Sequence, residues 1–195
     1  VTCEVEHAAI LNPLKQLECL GFRVECLPVD GVGRVDPERV KSALTESTVL
    51  VTIQHANSEV GTLQDIVEIG DCVRKKGILF HTDAVQSVGK IPVDVNDLPV
   101  DLLSISSHKI YGPKGVGALF IRRGTPALFS PVCGGGQEKK RRGGTENVPG
   151  IVGFGKACQI ARDRMARGEL EQLKKMRDRL WERIEQFIPN VEFFG

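Results

Sequence analysis

The chain has 195 residues, 41% of them hydrophobic and 26% charged, the balance of a globular protein with enough apolar material for a core. Lys and Arg number 26 against 25 Asp and Glu, a net charge of +1, which argues against a nucleic-acid or membrane surface as the main business of the chain. No apolar run approaches the ~20 residues of a membrane span.

Residues 1–3 read as a strand. Residues 8–20 place Ile10, Leu11, Leu14, Leu17 and Leu20 at helical spacing, with Gly21 as the stop. A short strand is expected over 23–29. Asp36-Pro37-Glu38 then has the form of a helix start: a cap, a first-turn proline and an acid at the positive end of the dipole. Further strands are predicted over 49–53, 78–80, 100–105 and 117–121, with a helix over 65–76. Apolar runs alternating with helices give an α/β class, a mainly parallel central sheet with helices on both faces. Residues 151–167 and 169–187 read as long helices parted by Gly168. Residues 1–150 are therefore expected to form most of a large domain, 151–168 a connecting helix, and 169–195 the beginning of a small one.

The six cysteines, at 3, 19, 26, 72, 133 and 158, form no C-x-x-C pair. A zinc site and a disulfide framework are not expected. Each is read first as a small buried hydrophobe, reduced in a cytoplasmic compartment. The four consecutive cations Lys139 to Arg142 have no aromatic partners and read as a solvated loop. No strand is followed by the G-x-G-x-x-G of a dinucleotide site. Both ends read as interior sequence, so a piece of a longer protein, truncated at both ends, is expected.

Three strand ends carry polar clusters: Gln54 to Glu59, His81 to Gln86, and Ser106 to Lys109. In a parallel sheet such ends share one edge, where ligands bind. A lysine at one strand end and an aspartate at another suit pyridoxal 5'-phosphate: the amine binds the cofactor carbonyl, and the carboxylate keeps its pyridine nitrogen protonated. Hydroxyls nearby can hold the phosphate.

The run Ser106-Ser107-His108-Lys109-Ile110-Tyr111-Gly112-Pro113-Lys114-Gly115 resembles the cofactor-lysine motif of cysteine desulfurases, within the class V aminotransferase group. Glu6-His7, His81 to Gln86, Gly134 to Glu138 and Arg142 to Asn147 agree in order and spacing. The resemblance implies the fold of the pyridoxal-phosphate transferases of fold type I. It implies that Lys109 bonds the cofactor and moves a proton, Asp83 pairs with the pyridine nitrogen, and His7 stacks on the ring and serves in acid–base steps. It further implies that Gln86 approaches the phenolic oxygen and that Ser106 and His108 hold the phosphate. Thr145 would reach the cofactor of a neighbouring subunit, making a homodimer.

One departure concerns the loop after residue 53, where the family has two asparagines and this chain has Asn57-Ser58. Ser58 stands where the family's cofactor contact would be. Its shorter hydroxyl is expected to weaken that contact, to bridge it by water, or to leave it to Asn57.

For the complete protein the resemblance implies conversion of L-cysteine to L-alanine. The sulfur passes to an enzyme cysteine as persulfide, for a sulfur-acceptor scaffold in iron–sulfur cluster or thiolation pathways. The catalytic cysteine, the substrate-binding arginine and an early phosphate loop are expected outside these 195 residues, so the isolated piece is expected to have little turnover. Selenocysteine lyase shares nearly all these motifs and is the alternative. A cofactor-binding module without turnover and another enzyme of the same fold are the rivals.

Overall fold

The computed structural model describes residues 1–130 and 132–194. Its elements run β1 Thr2–Cys3, α1 Ala8–Cys19, β2 Cys26–Leu27, α2 Pro37–Ala43, β3 Leu50–Thr52, α3 Ile66–Lys75, β4 Leu79–Asp83 and β5 Leu102–Ser106. A 3-10 turn at Ser107–Ile110 follows. The chain then gives β6 Gly117–Ile121, the single turn α4 Gln137–Lys140, α5 Val148–Ala166 and α6 Glu169–Phe187.

Strands β3, β4 and β5 are parallel neighbours, with Thr52 opposite His81 and His81 opposite Leu102. The small parallel pair β1–β2 joins this sheet through Val1. Its ammonium donates to Leu50 O at 2.9 Å, and its carbonyl accepts from Thr52 N at 2.9 Å. Strand β6 is antiparallel to β5, because residues 111–116 return the chain directly and leave no room for a crossover helix. No helix joins β4 to β5 either. Residues 84–101 descend as turns, held partly by Arg122, whose guanidinium donates to the carbonyls of Val95, Leu98 and Val100.

The local reasons are visible in the sequence. Asp36 caps α2 by accepting from Glu38 N at 2.9 Å, with Pro37 at the first position. Ile66, Ile69, Gly70 and Val73 form the buried stripe of α3. Asn147 accepts from Gly150 N at 3.1 Å, so α5 begins at Val148, three residues before the periodicity alone indicated. The main core gathers Val35, Val40, Val51, Ile53, Ile69, Val73, Phe80 and Val100 around the sheet. A smaller one packs Phe154 and Ala157 of α5 on Ile110.

Two expectations are corrected. Only Cys3 is buried; Cys72 and Cys158 are half-buried, and Cys19, Cys26 and Cys133 are exposed, all as free thiols. The 78–80 strand is longer than its apolar run. It continues through His81, Thr82 and Asp83, because the ladder to β5 pairs these polar residues as well. Among the described residues no helix is long and apolar enough to cross a membrane.

Candidate active site

Since β3, β4 and β5 are parallel, the residues that end them face one edge. Asp83 is the last residue of β4 and Ser106 the last of β5. The 3-10 turn after Ser106 brings His108 and Lys109 round to the same side. Tyr111, at φ 63, ends that turn in the left-handed region. The turn packs against α5 at Gly112, where any Cβ would run into Ser107 Oγ and Ala157. On the neighbouring side, the chain leaving β1 places His7 at the start of α1.

These residues surround one cavity of about 270 Å³. Lys109, Ser106 and His108 line it from the β5 end, and Asp83 and Gln86 from the β4 end. His7 lines it from α1, and Ser58 from the loop after β3. Ala9, Ala56 and Val85 supply apolar wall. A wider opening of about 580 Å³ shares Ala56, Ser58 and Gln86 with it. A separate apolar cavity of about 230 Å³ lies between the Lys109 turn and α5–α6, and no acidic residue lines it.

Hydrogen bonds fix several of the side chains. His7 Nδ1 accepts from Ala9 N at 3.1 Å, so its exchangeable proton belongs to Nε2. Asp83 Oδ1 accepts from Val85 N at 2.9 Å, and Ser106 Oγ lies 2.9 Å from His108 Nδ1. Gln86 Oε1 accepts from Lys90 Nζ at 2.7 Å.

Of the eight residues marked in the sequence, seven line this cavity. Thr145 does not: it is exposed on the loop where Arg142 binds the carbonyls of Gly143 and Gly144. Asn57, the alternative to Ser58, lines the wider opening and not the 270 Å³ cavity. Asn57 Nδ2 donates to Val5 O at 3.1 Å and its Oδ1 accepts from Glu59 N and Val60 N, bonds that hold its amide in the loop. Ser58 Oγ, 3.4 Å from Glu59 Oε1, lines the cavity. His81 is a satisfied core residue, with Thr52 Oγ1 at 2.7 Å and Ser104 Oγ at 2.9 Å. Burial lowers its pKa to about 4.

Two residues to which the sequence assigned no individual role belong with the site. Gln54 lines the cavity and donates to Val5 O at 2.8 Å. Glu6, 5% exposed, sits beneath it and accepts the Gln54 backbone N–H; burial, with the charge of Asp83 adding, pushes its pKa up to about 8. Membership of the polar run after β3, for Gln54, and position directly before His7, for Glu6, are the signals the sequence carries.

The donor set fits a flat heteroaromatic phosphate: an amine and a carboxylate on different walls, hydroxyl and imidazole groups for an anion, and small apolar side chains between them.

The chain matches the family described as aminotransferase class-V over residues 1–195. It is 50% identical over 195 residues to the cysteine desulfurase IscS of Dictyoglomus turgidum, covering 100% of this chain and 49% of that one. To the protein of the same name from an Anaeromyxobacter species it is 53% identical over 181 residues, 92% of this chain and 45% of the other. A solved NifS-like protein superposes with a TM-score of 0.88 at 43% identity, over 93% of this chain and 50% of that one. A structure described as SspA in complex with cysteine gives 0.78 at 44% identity, over 81% and 46%. The chain thus spans about half the length of the curated relatives it matches.

Proposed function

The chain belongs to the aminotransferase class-V family, and from that premise we propose that the protein is a pyridoxal-phosphate-dependent cysteine desulfurase. The observation that carries this reading is the meeting of Lys109, from the turn after β5, and Asp83, from the end of β4, across one cavity that Ser106 and His108 also line.

Bound there, pyridoxal phosphate supplies an electrophilic carbon and a ring that takes up carbanion charge. Lys109 Nζ would be the amine that holds the cofactor and, when released from it, the group able to carry a proton in the cavity. Asp83 would hold a proton at the pyridine nitrogen. His7 would meet the bound ring and exchange protons through Nε2, since Nδ1 is engaged by α1. Gln86 and Ser58 would contact polar atoms of the ring, and Ser106 and His108 would bind its phosphate.

The net reaction is L-cysteine plus a protein thiol giving L-alanine plus a protein persulfide: the carbon–sulfur bond breaks and a sulfur–sulfur bond forms. Among the described residues no cysteine lines the cavity, so in this reading the accepting thiol comes from the rest of the protein. Thr145, exposed on its loop, serves the partner subunit of a homodimer, and a scaffold protein receives the sulfur in the cytoplasm. Residues 1–150 form most of the cofactor domain and 151–168 the connecting helix. Residues 169–195 open the small domain, a division supported by the exposed apolar face of α6.

The test is to add pyridoxal phosphate to the full-length protein, record the visible band, reduce with borohydride and locate the label by peptide mass spectrometry. A single label at Lys109, weakened in Asp83→Ala, with alanine released from cysteine, is the expected result. A label on another lysine overturns the assignment. Release from selenocysteine alone replaces the substrate.

A further inference from the structure

We infer that Lys90 is a positioning residue that fixes which end of the Gln86 side-chain amide faces the active-site cavity. The inference rests on the function proposed above.

The bond from Lys90 Nζ to Gln86 Oε1 is 2.7 Å long. A glutamine amide can be turned over at little cost, presenting either an oxygen or an NH2 to a ligand. An ammonium has donors only, so it selects the oxygen and leaves the two N–H bonds of Gln86 for other acceptors. The backbone between the two residues is held by successive turns: Ser87 N and Val88 N donate to Ala84 O, and Lys90 N and Ile91 N donate to Ser87 O. The buried Ser87 hydroxyl adds a bond to Ala84 O at 3.1 Å. The separation of Lys90 from Gln86 is therefore set by the fold. Lys90 also lies close enough to Lys109 for the second positive charge, after burial, to lower its pKa. A phenolic oxygen in the cavity is an acceptor. It is served by Gln86 N–H and repelled by Gln86 C=O, so the orientation imposed by Lys90 decides the sign of that contact.

A lysine four residues from a glutamine can also be an idle surface pair, and the experiment separates the two. In the full-length protein, the dissociation constant of pyridoxal phosphate and the position of its visible band are measured for the parent, Lys90→Met, Lys90→Arg, Gln86→Met and the double variant Lys90→Met/Gln86→Met. Lys90→Met and Gln86→Met are each expected to weaken binding about five-fold, the order of one hydrogen bond, and to shift the band alike. The double variant is expected to be no worse than either single one, with Lys90→Arg close to the parent. Parent-like binding and band in Lys90→Met, or losses that add independently, overturn the inference alone. A parent protein not labelled at Lys109 overturns the proposed function and this inference with it.

Discussion

His7 Nδ1 accepts the backbone N–H of Ala9 at 3.1 Å, so one side chain both caps α1 and lines the cavity. The two duties can be separated. His7→Ala should cost about 1 kcal/mol of stability through the lost cap. Asparagine caps as well as any residue, so His7→Asn should melt close to the parent while turnover of the full-length protein falls about 10²-fold or more. Thermal melts and alanine release check this. Equal destabilisation by the two variants would remove the capping role.

His81 bridges Thr52 and Ser104 across three strands, and burial holds its pKa at about 4 against 6.5 for the free group. Between those values the unfolded chain binds the proton more readily than the native one. Its contribution is therefore complete above pH 6.5 and is lost as pH falls toward 4, amounting to about 3 kcal/mol. Denaturant unfolding at a series of pH values should show this slope in the parent and not in His81→Asn. Parallel curves would discard it.

Glu6 acts in the opposite direction. Its pKa is raised from 4.5 to about 8, first by burial and then by the charge of Asp83, and its Oε2 has no partner among the described residues. Here the native state keeps a proton that the unfolded state has released. Stability from this group is present below pH 4.5 and declines as pH rises to 8. Glu6→Gln keeps an acceptor for Gln54 N, and should be more stable than the parent at pH 8 by on the order of a few kcal/mol. The two should converge near pH 4.5. A variant less stable at pH 8 would mean that Glu6 is ionised in the fold.

Gly112 lets the Lys109 turn pack on α5. An added methyl meets Ser107 Oγ and Ala157 Cβ, so Gly112→Ala should cost about 1–3 kcal/mol by overpacking. Displacement of the turn should also reduce borohydride labelling of Lys109 in the full-length protein. Unchanged melting and labelling together would show that the turn can yield.

Along α6, Leu173, Met176, Leu180 and Phe187 are 52%, 68%, 63% and 78% exposed. The described residues leave most of this stripe uncovered, and such a surface favours association. The 195-residue chain on its own should therefore sediment as a concentration-dependent mixture. A monodisperse monomer with a cooperative melt would contradict this.

The α/β class, the helix at residues 169–187 and the strand at 117–121 follow from local pattern, because amphipathic period and strand-ending polar runs are properties of short segments. The motif from Ser106 to Gly115 marked Lys109 by chain order alone. What local pattern could not decide depends on partners far apart in the chain. The direction of β6 is set by the length of the return from the Lys109 turn, and the strand character of His81 to Asp83 by pairing with β5. The placing of the Asn57 amide depends on its bond to Val5, 52 residues away. The raised pKa of Glu6 is a burial effect, and burial exists only once β1 and β3 lie side by side. Residue types and their order named the chemistry; the distances that commit one nitrogen of His7, one oxygen of Asp83 and one end of Gln86 came from tertiary structure, because hydrogen-bond geometry is decided by where the backbones meet.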